Sequence, residues 1–318
     1  MGGGTCSRRC FLAGGALTGG FFAAPSLPAV ESEKPSGDMT PCMSISYAHI
    51  DAGAEKPFSV LHVSDTHLTE VNSEESPDLA RRGIFRTRTF AGRQKEALRA
   101  SLEFAERHAD FVVHTGDFVD FVSEGNLAAV RSFFDNSPVK VLCSVGNHEY
   151  WGLAPGKSYA PHESNFRDCQ AAFPNDLHFA SRIVNGVNFV ALDDSLVDED
   201  GGLAPFSQNV ADAFSKEVGR GLPIVLCVHV PFRTPLVWTA THQHWRNRGR
   251  RFAGAHGAAP KYSKSAEDFI AYLKSVPLLK GILSGHLHCS VEERFSPTAM
   301  QFIAPPNFAF AARQILFT

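Results

Sequence analysis

From residue 57 onward the sequence predicts an α/β fold, and three observations carry that expectation. Short β-branched runs alternate with longer amphipathic stretches, apolar runs end in small or polar residues, and the last runs follow one another without helices between them. The candidate strands are Phe58–Ser64, Asp110–Thr115, Val139–Val145, Val187–Leu192, Pro223–His229 and Leu279–Ser284. Between them, Arg93–Arg107, Glu124–Phe134, Ser207–Val218 and Ser265–Lys274 read as helices; in the last, Phe269, Ile270 and Leu273 share one face. The late runs Val291–Phe295, Met300–Ile303 and Gln314–Phe317 are expected to be antiparallel strands.

Composition sets the remaining bounds. The chain has 318 residues, 44% hydrophobic and 20% charged, which is enough to build a sizeable core. A net charge of −3 gives no global argument for nucleic acid or an anionic membrane, so nucleic acid is not the expected partner, and local patches of charge matter more than the total. Neither an internal repeat nor a long linker divides residues 57–318, so they are expected to form one domain.

Before that domain, Ser7-Arg8-Arg9-Cys10-Phe11-Leu12 leads into a Gly/Ala-rich apolar run through Ala24, followed by Pro25-Ser26-Leu27-Pro28-Ala29. Paired arginines, an apolar segment too short to span a bilayer comfortably and small residues beyond it resemble a twin-arginine export signal. This predicts a leader over residues 1–30, the twin-arginine export machinery as a partner, an exported (periplasmic or extracellular) mature protein, and no stable membrane span in that mature form. Residues 31–56 are expected to be a tether, with Ser32–Thr40 rich in Ser, Lys, Glu, Pro and Gly. Five cysteines remain beyond the leader, none in a C-x-x-C pair. Cys143 and Cys227 lie within strand-like runs, so no disulfide framework is expected.

Acidic, amide and imidazole residues stand just after five of the apolar runs. They are Asp65-Thr66-His67, Gly116-Asp117-Phe118-Val119-Asp120, Gly146-Asn147-His148-Glu149, His229, and Gly285-His286-Leu287-His288. Strand ends of an α/β sheet converge on a crevice, where loops can assemble a site from distant segments. Carboxylate, amide oxygen and imidazole without thiolate suit Mn, Fe or Zn. Seven candidates (Asp65, His67, Asp117, Asn147, His229, His286 and His288) are too many for one open catalytic ion and suit two divalent metal ions bridged by one carboxylate, for which Asp117 is the natural choice. The glycines before Asp117, Asn147 and His286 are expected to let the chain turn sharply there. Taken singly, Asp65-x-His67 or Gly116-Asp117-x-x-Asp120 could be a mere turn; their order along the chain is what specifies a site. His62 and His114, inside strands, are expected to be hydrogen-bonded core groups or supports to the ligands rather than ligands. Asp193-Asp194 follows Phe189–Leu192 and could approach the site, with a turn as the safer reading.

The ordered set resembles the signature of the calcineurin-like metallophosphoesterases over approximately Phe58 to His288. The resemblance implies an α-β-β-α sandwich of two mixed β-sheets flanked by helices, the metallo-dependent phosphatase fold, with the domain at residues 57–318. It further implies that Asp65, His67, Asp117 and His288 hold one ion while Asp117, Asn147, His229 and His286 hold the other. Such a pair binds phosphate oxygens as Lewis acids and lowers the pKa of a bound water, so hydroxide attack on a phosphomonoester or phosphodiester is expected, in one in-line displacement of a small phosphorylated substrate. His148, beside Asn147, is expected to protonate the leaving oxygen, with Asp120 orienting it. The competing expectation is an exported metal-containing binding protein without turnover. Asp120 stands where purple acid phosphatases carry a tyrosine ligand, and His67 where they lack a histidine, which argues against an iron–tyrosinate centre. Two segments are unusual. Glu70 to Gly92 is a long connection carrying Arg81, Arg82, Arg86 and Arg88, expected to shape the substrate pocket. Val218 to Ala266 lacks Asp and Glu but gathers Arg233, Arg246, Arg248, Arg250, Arg251 and Lys261 around Trp238 and Trp245, as a basic aromatic lid or a solvated loop.

Overall fold

Alternate residues of the central strands face two different cores. In the computed structural model, which describes residues 42–153, 159–195, 208–246 and 264–318, Val60 and Val113 face a second sheet while Leu61 and Val112 face a helix. The first sheet runs in the order β1 (Ser44–Ile50), β13 (Ala311–Phe317), β2 (Phe58–Val63), β3 (Phe111–Thr115) and β4 (Val141–Ser144). The second runs β11 (Val291–Arg294), β12 (Met300–Ile303), β10 (Leu279–Ser284), β9 (Ile224–Cys227), β8 (Val187–Leu192) and β7 (Phe179–Val184). A short hairpin, β5 (Trp151–Leu153) with β6 (Tyr159–Pro161), stands apart.

Phe58, Phe111, Ile315 and Phe317 of the first sheet pack against Phe189, Val225, Leu283 and Phe302 of the second to make the central core. Outside the first sheet, Leu102 and Ala105 of α2 (Gln94–His108) cover Leu61, Val63 and Val112. Outside the second, Phe214 of α5 (Gln208–Val218) and Phe269 and Leu273 of α7 (Lys264–Ser275) cover Val190, Leu226 and Ile282. This is the expected four-layer α-β-β-α sandwich. Burial on both faces explains the nearly continuous apolar runs of the central strands.

The late strands differ in part from expectation. β11 and β12 are antiparallel, but β12 joins β10 in parallel, and β13 crosses to the other sheet to lie between β1 (parallel) and β2 (antiparallel). The stretch expected as a tether over 31–56 contains β1, paired along its whole length from Ser44↔Ala311 to Ile50↔Phe317; Ile45 packs on the helix side and Ala48 and Ile50 on the inter-sheet side, while Ser44, Tyr47 and His49 are exposed, as an edge strand permits. The proposed leader, residues 1–30, lies outside the described residues. All described residues fall within one compact unit, Pro41–Thr318. Among them no helix is long and apolar enough to cross a membrane, and no disulfide joins any of the five cysteines they include.

Among the described residues four further helices complete the set, one of them α4 (Glu163–Gln170), which follows the hairpin. α1 (Pro77–Thr89) occupies the long 70–92 connection, begun by Ser76, whose hydroxyl accepts the Leu79 N–H, and by a proline in its first turn. α3 (Glu124–Asp135) follows the loop after β3, with Ser123 accepting the Asn126 N–H. α6 (Pro235–Arg246) follows β9. Of the basic aromatic segment, Arg233 stacks on Trp238 at 4.5 Å, and residues 247–263 lie outside the described residues.

Candidate metal centre

Strands β2, β3 and β4 run parallel in one sheet and β9 and β10 run parallel in the other, so five C-terminal strand ends meet on one rim. Main-chain hydrogen bonds lock the loops together there. Asp65 N–H donates to Gly116 O (3.1 Å), His67 N–H to Asp117 O (2.9 Å) and Gly285 N–H to His229 O (2.9 Å). The Asp65 carboxylate joins the sheets by accepting the His286 N–H on both oxygens (3.1 and 3.0 Å).

The turns have a cause that differs from the one expected. Asp65, His67, Asp117, His286 and His288 themselves adopt left-handed backbone conformations, with φ between 51° and 67°. Such conformations cost a side-chain-bearing residue energy and persist where the surroundings over-determine them, as at functional sites. Gly146 and Gly285 serve close approach instead: a Cβ at Gly146 would overlap the Asp117 main-chain N and Oδ1, and one at Gly285 would overlap Ser64 Oγ. Gly116 meets both demands, with φ +81° and a would-be Cβ 2.6 Å from His229 Nδ1.

Two donor clusters share Asp117. In the first, donor atoms of Asp65, His67, Asp117 and His288 lie within 4.8 Å of one another; in the second, those of Asp117, His229 and His286 do. His67 Nε2 stands 3.0 Å from His288 Nε2 and 3.5 Å from Asp117 Oδ2, while His229 Nε2 stands 3.2 Å from both His286 Nδ1 and Asp117 Oδ2. Asn147 opens the 3-10 turn Asn147–Tyr150, and its Oδ1 is buried without a hydrogen-bond partner.

These residues fit a pair of cations. His229 Nδ1 donates to Thr115 O (2.7 Å), so Nε2 is the atom turned toward the Asp117 carboxylate and the one a cation would take in place of a proton. Burial by itself would lower the His229 pKa, yet Asp117 and Asp65 push it up to about 10, the mark of a negative cluster that requires positive charge. Asp117 is held well below the ordinary carboxylate range against its burial, by His229, His148 and His67, and Asp65 is lowered against its burial by His288 and His229. The His286 pKa is lowered to about 3 by burial and by neighbouring His229, so it presents a neutral imidazole able to bind a cation.

His148 and Asp120 lie at the margin of the first cluster. His148 Nδ1 donates to the main-chain oxygen of Asp120 (2.6 Å), leaving Nε2 3.9 Å from Asp117 Oδ2. The hydrogen bond that holds His148 is therefore made by the Asp120 backbone rather than by its carboxylate. Its carboxylate is engaged elsewhere, by His67 Nδ1 (3.1 Å) and by Arg86 Nε and Nη2 (2.6 Å each), with His148 Nδ1 farther off at 3.4 Å.

The supporting contacts of several residues named in the sequence were not foreseen there. Glu149, the last residue of Gly-Asn-His-Glu, accepts four main-chain N–H groups from Gly146, Asp117, Phe118 and Val119. Asp194, expected in a turn, is buried and accepts the N–H groups of His229 (2.9 Å) and Val230 (3.0 Å). Asp193 accepts from Tyr150 Oη (2.5 Å) and His178 Nδ1 (2.9 Å). His62 and His114 are core groups as expected, bonded through Nε2 to Thr115 Oγ1 and Thr66 Oγ1.

Fold and donor set together are those of a metal-dependent phosphoesterase. The family model for calcineurin-like phosphoesterases matches residues 58–290, and the chain belongs to that family, a hydrolase acting on phosphoric ester bonds. Its fold is similar to that of a dimetal phosphatase from Danio rerio, at 15% identity and a TM-score of 0.50, over 79% of this chain and 88% of that one. It is also similar to purple acid phosphatase PPD1 from yellow lupin (Lupinus luteus) seeds, at 12% identity and a TM-score of 0.44, over 78% of this chain but only 44% of that one. Phosphopantetheinyl hydrolase from Mycobacterium tuberculosis matches at 12% identity and a TM-score of 0.42, over 80% and 95% of the two chains. Comparison with curated protein sequences finds no match. The buried acidic and histidine cluster points to two metal ions.

Proposed function

We propose that this protein hydrolyses a small phosphomonoester or phosphodiester at two divalent ions drawn from Mn, Fe and Zn. Asp65, His67, Asp117 and His288 would hold one ion, and Asp117, Asn147, His229 and His286 the other. The observation that carries this reading is the position of Asp117 Oδ2 within 3.5 Å of His67 Nε2 and 3.2 Å of His229 Nε2, one carboxylate oxygen serving both clusters. When bound, such ions supply Lewis acidity toward phosphate oxygens and lower the pKa of a coordinated water.

The chain's own residues contribute orientation and a proton. Thr115 O and the Asp120 carboxylate fix the ring orientations of His229 and His67, so that each directs Nε2 at Asp117. The Asp120 main-chain oxygen fixes His148 with Nε2 on the Asp117 side, where it would protonate the departing oxygen. Export through the twin-arginine route rests on residues 1–30 alone and is proposed with it; a reporter fused behind that segment would reach the periplasm only while Arg8 and Arg9 are intact.

The test is metal content and turnover measured together, on protein loaded separately with Mn, Zn and Fe, against p-nitrophenyl phosphate and bis-p-nitrophenyl phosphate. Two ions per chain with hydrolysis of either ester is the expected outcome. Two ions with no turnover would favour a metal-containing binding protein, and absence of metal under every condition would overturn the site.

A further inference from the structure

Helix α1 belongs to the long arginine-rich connection between the first two motifs, and its C-terminal end reaches the metal centre. Arg86 lays Nε and Nη2 on the two oxygens of Asp120, at 2.6 Å each, in the bidentate geometry that suits guanidinium and carboxylate. Asp120 in turn accepts from His67 Nδ1 at 3.1 Å. A carboxylate flanked by a guanidinium accepts and does not donate, so His67 carries its proton on Nδ1 and turns a bare Nε2 toward Asp65, Asp117 and His288. Phe90, the residue that closes α1, lies on the face of the same imidazole at 4.5 Å and 11°, and Arg86 stacks on Phe90 at 4.8 Å. One helix end thus fixes the His67 ring twice, at its edge through Asp120 and on its face through Phe90.

The helix is built to hold that position. Gly83 faces Val71, with no room for a Cβ, so α1 lies directly on the chain leaving the first motif. Thr87 Oγ1 bonds Thr69 Oγ1 at 2.6 Å, and Gln94, just beyond the helix, donates to His67 O at 3.3 Å.

We infer that Arg86 is a positioning residue for the first metal site: through Asp120 it sets the tautomer and ring orientation of His67, and so the affinity for the ion that His67 binds. The inference rests on the two-metal reading above and assigns α1 a role distinct from shaping the substrate pocket.

The experiment titrates Mn(II) into metal-free full-length chain, read by calorimetry and by the electron paramagnetic resonance of unbound Mn(II). Thermal melting of the metal-free chains separates loss of affinity from loss of fold. The wild-type chain is expected to bind two ions. Arg86→Met is expected to weaken one of them by roughly 10–100-fold, the usual consequence of removing a group that orients a metal-binding histidine, and to leave the other unchanged. Arg86→Lys, which keeps the charge but not the fork, should fall between. Asp120→Asn should weaken the same ion, and Arg86→Met/Asp120→Asn should be no worse than Asp120→Asn alone, because both act through one link.

Wild-type affinity for both ions in Arg86→Met would overturn the inference, above all if KM for p-nitrophenyl phosphate rose, since Arg86 would then be a substrate contact. Additive losses in the double variant would overturn it too. Should Arg86→Met not fold, Arg86→Lys carries the decision by the same titration: one weakened ion supports the inference and two unchanged ions refute it. A wild-type chain that binds no Mn(II), Zn(II) or Fe(II) would instead sink the metal-centre reading.

Discussion

Glu149 accepts the main-chain N–H of Phe118 at 2.7 Å, and through that carboxylate the second and third motifs become one structural piece. Its two oxygens also take the N–H groups of Gly146 (2.6 Å), Asp117 (3.0 Å) and Val119 (3.1 Å). Burial and neighbouring Asp117 push its pKa up to about 7, whereas the four N–H donors favour the charged form. Glu149→Ala would strand these donors in the interior. The expected loss is about 3–5 kcal/mol, comparable to breaking a buried charged interaction by removing one partner. Urea unfolding of the metal-free chain measures it, and Glu149→Gln, which keeps one accepting oxygen, should lose less.

Gly146 is the second test of how tightly these motifs abut. A Cβ there would overlap the main-chain N of Asp117, which cannot swing aside, and Asp117 Oδ1, which the His148 N–H holds at 3.0 Å. Gly146→Ala should cost about 1–3 kcal/mol as an overpacked site and lower the metal bound per chain. Gly221 supplies the control: its φ is +73° but nothing lies within 4 Å of a would-be Cβ. Gly221→Ala should cost about 1–2 kcal/mol of backbone strain and leave metal content unchanged. Equal metal loss in both variants would disprove the steric account.

What the sequence displayed follows from what each residue does. Strands such as β8 and β9 are buried on both faces and read directly as apolar runs. β1 and β7 lie at sheet edges, where mixed residues such as those of Ser44-Ile-Ser-Tyr-Ala-His-Ile50 dilute the pattern, and neither was predicted. α1 buries only Leu79 and Gly83, so its polar sequence gave no sign of its packing on the first motif. The candidate ligands stood out because each follows an apolar run. Arg86, Glu149 and Asp194 also stand in segments that the sequence marks, but their supporting contacts do not show there, since no spacing encodes which groups they hold in place.

The pairing of His178 with Asp193 gives stability a pH dependence away from the metal centre. His178 Nδ1 lies 2.9 Å from Asp193 Oδ2, and that hydrogen bond raises its pKa above the ordinary 6.5 against partial burial. A folded-state pKa above the unfolded one means the contribution is fully present below 6.5 and lost as pH rises through the folded value. Because His178 is nearly half exposed, about 0.5 kcal/mol is expected. Urea unfolding of wild type and His178→Gln at acidic and alkaline pH should show a stability gap that shrinks as pH rises. A gap independent of pH would mean the ion pair contributes nothing.

His148 can be tested as the proton donor by varying the leaving group. Its Nδ1 is committed to the Asp120 main-chain oxygen at 2.6 Å, and its side chain is 20% exposed, so Nε2 is the atom available to a substrate. Removing a general acid costs about 10²–10⁴-fold where the leaving oxygen needs a proton. His148→Ala should therefore slow hydrolysis of an alkyl phosphate by that factor, and slow p-nitrophenyl phosphate much less, because its phenolate departs unaided. Metal content should stay at the wild-type level. Asp120→Asn separates the two neighbours: the main-chain oxygen that holds His148 survives, so its losses should appear in metal affinity through His67, with the preference between the two leaving groups preserved. Equal slowing of both substrates in His148→Ala would assign His148 to orientation and leave the proton to another donor.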